Sequence, residues 1–127
     1  MCTPKGKFKL QNLFYRADRV KKINCELNTI KIKKNMGWCN DPKNKDYNKL
    51  INKDKIFKCE KLFRKDHLYD YIIEIDHNKE NEPFKGSAIF IHLTKNYKPT
   101  KGCISLKEKN FKILLQLIKK NTYLNIL

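Results

Sequence analysis

No long apolar run occurs in this chain of 127 residues. A membrane-spanning helix needs roughly 18 or more apolar residues in a row, so none is expected. The first residues, MCTPKGKFKL, lack an apolar h-region, so no signal peptide is legible there. Arginine is scarce. Only Arg16, Arg19 and Arg64 occur among 29 basic residues, which leaves 26 lysines (29 − 3 = 26). The net charge of +16 invites a nucleic-acid reading. The lysines are spread along the whole length, however, and arginine is the residue that grips phosphates and bases bidentately. No nucleic-acid partner is therefore expected. Such a surface would weakly favour an anionic polymer. Internal repeats and low-complexity tracts are also missing, and the length fits one domain with a modest core.

Cysteine spacing excludes another class. Cys2, Cys25, Cys39, Cys59 and Cys103 form no CxxC pair, and His67, His77 and His92 lie far from any cysteine pair. A zinc site is not expected. The count is odd, so at least one thiol stays unpaired within a monomer. One disulfide is possible among the four cysteines other than Cys103, and the sequence does not assign it.

Several short segments carry structure. Lys7–Leu10 and Thr29–Lys33 alternate polar and apolar residues, as half-buried strands do. Tyr69–Asp76 and Ala88–Ile91 also read as strands. Residues 35–55, rich in Asn, Asp, Lys and Pro, read as a long ordered loop in which Trp38 and Tyr47 need somewhere to pack. His77–Gly86 reads as a polar turn region. One helix is expected near the C-terminus, because Phe111, Leu114, Leu115 and Ile118 share a face. Ser105 and Glu108 are spaced as a capping box at its start. The fold class is mostly β with one C-terminal α-helix.

The segment GSAIFIHLTKNYKPTKGCISL, residues 86–106, carries the candidate chemistry. His92 ends an apolar run, and Cys103 follows eleven residues later in a Gly-Cys pair (103 − 92 = 11). A thiol nucleophile needs a base, and a histidine nearby can supply one. Strand alternation sends His92 to the face opposite Ile91 and Leu93. A thiol of pKa about 8.5 is mostly protonated at neutral pH. A helix starting soon after Cys103 would help to ionise it. Gly102 allows a close backbone approach, and the N–H groups near Gly102 and Cys103 are candidate oxyanion donors. Thr100 is a loop hydrogen-bonding residue or a substrate contact. Each has a plainer reading. Cys103 alone could be a small buried residue, and His92 a hydrogen-bonded core histidine. His67 and His77 lie in polar surroundings and read as surface residues. Arg64, Asp66, Tyr69 and Asp70 read as a structural ion-pair and hydrogen-bond cluster, and Trp38 as a packed anchor.

These residues also carry a resemblance. Thr100-Lys101-Gly102-Cys103 preceded by a strand-borne His92 resembles the L,D-transpeptidase catalytic domain (YkuD-type), where a histidine precedes a Ser/Thr-x-Gly-Cys element. Thr3-Pro4-Lys5-Gly6-Lys7-Phe8 resembles the family's Thr-Pro-x-Gly-x-Phe motif. Trp38-Cys39-Asn40-Asp41-Pro42 with Tyr47-Asn48, and Arg64 to Asp70, resemble a short bacterial subgroup. The resemblance covers nearly all of residues 1–127. It implies a β-sandwich or barrel-like fold and acyl transfer on peptidoglycan stem peptides, with Cys103 as nucleophile, His92 as base and no cofactor or metal. Release of D-alanine, cross-linking of diaminopimelate residues, L,D-carboxypeptidase activity with water as acceptor, and a periplasmic or cell-envelope location follow from the same resemblance. Strands normally precede the Thr-Pro motif in the family, so a missing N-terminal part is expected. Two positions depart from the common pattern: Lys101 stands where many members have His, and Ser105 where many have Arg. An inactive wall-binding relic is the first alternative to an enzyme. A basic nucleic-acid-binding module is the second.

Overall fold

In the computed structural model, residues 3–52, 58–96, 100 and 102–127 are described. Pro99 and Lys101 of the Gly-Cys loop, and Cys2, lie outside them.

Strand β1 (Gly6–Tyr15) is the longest element. It meets three partners. Its second half runs parallel to β2 (Asn28–Lys31) and antiparallel to β6 (Tyr71–Ile75). Its first half runs antiparallel to β9 (Tyr123–Ile126), with Gly6 opposite Ile126. Strand β7 (Phe90–Leu93) pairs antiparallel with β6, and β8 (Ile104–Leu106) pairs parallel with β7. The order is β2-β1-β6-β7-β8, with β9 on β1. A second sheet has β3 (Met36–Cys39) between β4 (Leu50–Asn52) and β5 (Cys59–Lys61). Among the described residues one helix, α1 (Glu108–Leu117), completes the domain.

Both faces of the large sheet are buried. Leu13, Tyr15, Tyr71, Ile73, Ile91 and Leu93 point to one face, where Phe111, Leu115 and Ile118 from the helix end cover them. Tyr71 stacks on Phe111 with ring centroids 5.8 Å apart. Phe14, Ile72 and Phe90 point to the other face, covered by Trp38, Leu62 and Tyr69. The alternation of strand side chains produces both layers. Leu10 would fall on the wrong face by strict alternation. A register shift between Leu10 and Leu13 inserts an extra residue in β1 and restores Leu10 to the helix-side core.

The mostly-β expectation with one helix holds. The helix face of Phe111, Leu114, Leu115 and Ile118 is also as expected, all four packing on one core. The capping box does not form. Ser105 sits in β8, held extended by pairing with His92, and the helix N-cap is Lys107 with no side-chain cap. Helix formation waits until sheet pairing ends; the Thr94 N–H still reaches the Leu106 carbonyl at 2.8 Å. The expected loop over residues 35–55 instead contains β3 and β4. Its Trp38 is buried against Phe14 and Phe90, and its indole N–H donates to Asn48 Oδ1 at 2.9 Å. Strand β7 starts at Phe90 rather than Ala88, because Ala88 has φ +58°.

Candidate active site

The large sheet lays out its side chains in ranks. Phe14 pairs with Ile72, Ile72 with His92, and His92 with Ser105. The next rank runs from Glu74 to Phe90 and on towards Cys103. His92 and Phe90 share one face because two residues separate them. Cys103 packs into the same core layer as Phe90, Trp38 and Tyr69. The fold therefore brings His92 and Cys103 to one face of paired strands, one rank apart. His92 does point away from Ile91 and Leu93, which pack on the helix side.

The sulfur of Cys103 has two backbone partners. The thiol donates to the Ala88 carbonyl oxygen at 3.1 Å, and the Phe90 N–H donates to the sulfur at 3.4 Å. Burial pushes the thiol pKa up to about 11, the Phe90 N–H opposes the shift, and Glu60 adds to it. The helix gives no help at close range. It begins at Glu108, five residues after Cys103 (108 − 103 = 5), with β8 in between. The resting group is a neutral thiol.

His92 is buried, and its Nδ1 lies 2.8 Å from the Leu93 carbonyl oxygen. A carbonyl only accepts, so Nδ1 carries the hydrogen and Nε2 keeps a lone pair. Burial holds the imidazole pKa below its usual value, and the hydrogen bond to Leu93 partly offsets this. The Tyr69 ring packs against the imidazole, with centroids 5.3 Å apart. Tyr69 donates its hydroxyl to Glu60 at 2.9 Å and is itself buried.

The Gly-Cys turn is held locally. Gly102 has φ +99° and is buried, a backbone state that disfavours any L side chain. Thr100 donates its hydroxyl to the Cys103 carbonyl oxygen at 2.5 Å, so it acts within the loop. It also lines a cavity of about 560 Å³. His92, Ser105, Asp70, Asp66 and Glu108 line the same cavity. Ser105, expected as a helix cap, is thus part of the cavity wall beside His92.

The Arg64–Asp70 segment forms the ion-pair cluster expected of it. Arg64 holds Asp66 at 2.6 Å, and Asp66 sits below its usual pKa chiefly through that contact. Asp70 is buried and takes Arg19 at 3.0 Å and His67 Nδ1 at 2.8 Å. Arg16 is buried too, donating to the Arg64 carbonyl at 2.7 Å and lying 3.5 Å over the Phe63 ring. His67 is exposed, whereas His77 is half-buried, 5.5 Å edge-on to Phe8 and 2.9 Å from the Lys85 carbonyl.

Sequence reasoning did not anticipate Ala88, whose carbonyl takes the thiol hydrogen, or the Leu93 carbonyl. Neither contact has a signal in side-chain identity. Among the described residues, no group of three or more His, Cys, Asp or Glu stands together to hold a metal ion, and no helix is long and apolar enough to cross a membrane.

The family model for the L,D-transpeptidase catalytic domain (YkuD) matches residues 1–126. The chain belongs to that family. The mostly-β architecture with a single helix is consistent with the fold of the YkuD domain. No curated protein matches the chain. No solved structure matches it either.

Proposed function

We propose that this YkuD domain is an L,D-transpeptidase in which Cys103 is the nucleophile and His92 the base. The observation that carries the reading is the fixed tautomer of His92. Its Nδ1–H is tied to Leu93, which leaves Nε2 as the basic nitrogen, and strand alternation puts His92 on the face of β7 where Phe90 and Cys103 pack. That is the arrangement a thiol needs to lose its proton during attack.

Family membership implies a peptidoglycan substrate. The proposed donor is the stem peptide. The Cys103 sulfur attacks the carbonyl between the L-centre of diaminopimelate and the terminal D-alanine. The thiol proton passes to His92 Nε2 and then to the departing D-alanine amine, leaving a thioester. The N–H groups near Gly102 and Cys103 would stabilise the oxyanion. An amine of a second stem then attacks the thioester and gives the cross-link, with His92 accepting its proton. Water in place of the amine gives L,D-carboxypeptidase activity. The cavity beside His92 is open to either acceptor. The proposed setting is the cell envelope, where the substrate lies.

Neutral partners fit this order of events. A thiol near 11 and a depressed imidazole disfavour a resting ion pair, so proton transfer accompanies attack. The same raised thiol favours the second reading, an inactive wall-binding domain. Intact mass after incubation with a tetrapeptide muropeptide separates the two. A gain equal to the stem minus D-alanine, absent in Cys103→Ala, supports the enzyme. No adduct on folded protein supports the inactive domain.

A further inference from the structure

The small sheet places two cysteines side by side. Cys39 in β3 stands directly opposite Cys59 in β5. The Asn40 N–H reaches the Lys58 carbonyl at 3.1 Å, and the Leu62 N–H reaches the Met36 carbonyl at 3.2 Å. Hydrogen-bonded and non-hydrogen-bonded pairs alternate along an antiparallel ladder. Residues 40 and 58, and residues 36 and 62, are therefore of the bonded kind. Cys39 and Cys59 fall on a non-bonded pair, where the two Cα atoms approach to about 4.5 Å and the side chains share a face. That separation lies within the span of about 4.4–6.8 Å that a disulfide bridges.

The sulfur of Cys59 is already on that face. A Cβ added to Gly37 would lie 3.2 Å from it. Gly37 is two residues before Cys39 and so shares its face. The glycine leaves the Cys59 side chain room to turn. The other described cysteines are engaged elsewhere. Cys25 packs on the helix-side core, and Cys103 is held by Ala88 and Phe90.

We propose that Cys39 and Cys59 form a disulfide by exchange with an external disulfide, either a small molecule or a thiol oxidoreductase. Cys59 is half-buried and Cys39 fully buried, so the external disulfide meets Cys59 first. The Cys59 thiolate attacks it and releases one thiolate, giving a mixed disulfide. The Cys39 thiolate then attacks the Cys59 sulfur and releases the second. Two protein thiols become one disulfide, the external disulfide becomes two thiols, and the two protons end on the released thiolates. Disulfides persist in oxidising compartments, which a cell-envelope setting would provide.

The bond would fasten β5 to β3. Strand β5 is three residues long and lies at the edge of its sheet. Trp38, beside Cys39, packs on Phe90 at 5.3 Å, and Phe90 donates its N–H to the Cys103 sulfur. The link therefore steadies the layer that lies over the candidate nucleophile. It does not depend on acyl transfer.

The test uses the full chain and its Cys103→Ala variant, reduced and then incubated with oxidised glutathione. Free thiols are blocked with a maleimide, and the peptides are mapped by mass without reduction. The expected product joins the Cys39 peptide to the Cys59 peptide, with maleimide on Cys2 and Cys25, and on Cys103 where it is present. This link should dominate in native buffer and give way to mixed pairings in urea. Oxidation should raise Tm by several degrees, and Cys59→Ser should lose that gain. Glutathione lingering on Cys59, maleimide on both Cys39 and Cys59, or a native link from either to another cysteine would overturn the assignment.

Discussion

The Nδ1 of His92 donates to the carbonyl oxygen of Leu93, the next residue, across 2.8 Å. The strand thus fixes its own histidine through a backbone carbonyl. If His92 is the base, replacing it should slow acylation of Cys103 by about 10²–10⁴-fold, the usual contribution of a positioned base. His92→Asn is the preferred variant because its amide nitrogen stands where Nδ1 does and can still donate to the Leu93 carbonyl. Single-turnover mass measurements with a tetrapeptide stem read the rate. An unchanged rate in a folded variant would remove His92 from the mechanism.

The buried thiol predicts a pH profile. Alkylation of Cys103 by iodoacetamide should be slow at neutral pH. It should rise about tenfold per pH unit, because the thiolate is the nucleophile, until the pH nears 11. The same shift bears on stability. The folded state holds this proton more tightly than the unfolded chain, whose thiol titrates near 8.5. The contribution is complete below about 8.5 and is lost as pH climbs towards 11. Cys103→Ser should flatten that part of the stability curve, as urea melts at several pH values will show.

Asp70 is a buried charge outside the candidate pair. It receives Arg19 and His67 together. Asp70→Ala would take its carboxylate from the exposed Arg19, whose guanidinium keeps the Lys65 and Asp66 carbonyls. A loss of about 1.5–3 kcal/mol is expected, as for hydrogen bonds to a charged group. Glu26→Gln, which removes the exposed partner of Lys119 at 3.4 Å, should change stability by no more than about 0.5 kcal/mol. Equal effects in urea denaturation would contradict this contrast.

Gly86 has φ +114°, and a Cβ there would meet His77 Nε2 at 2.8 Å. Gly86→Ala should cost about 1–3 kcal/mol in backbone strain. It should also disturb the His77 contact with the Lys85 carbonyl. Adding His77→Ala should recover only the steric part, a partial rescue visible in thermal melts.

Much of this architecture was legible in the sequence, for identifiable reasons. The helix showed through Phe111, Leu114, Leu115 and Ile118 because a buried face imposes its period on side-chain choice. The placement of His92 followed from strand alternation. The second sheet was hidden because β3, β4 and β5 are three or four residues long. So short a strand shows no alternation to count. Ser105 misled because its spacing to Glu108 satisfies a local rule, while its pairing with His92 in the sheet is a long-range fact that overrides it. The thiol's contacts with Ala88 and Phe90 use backbone atoms, which every residue has, so no residue type announces them.

The split pairing of β1 has a consequence for how the protein is made. Of its first residues, Gly6 to Phe8 pair in the sheet with Leu124 to Ile126, while Lys9 also exchanges hydrogen bonds with Asp76. A nascent chain must carry that unpaired segment until almost all of the domain has left the ribosome. Contacts so distant in sequence make folding slow, and an open strand edge invites pairing with other chains in the meantime. The vulnerable stage for aggregation is therefore synthesis, before β9 arrives to close the sheet.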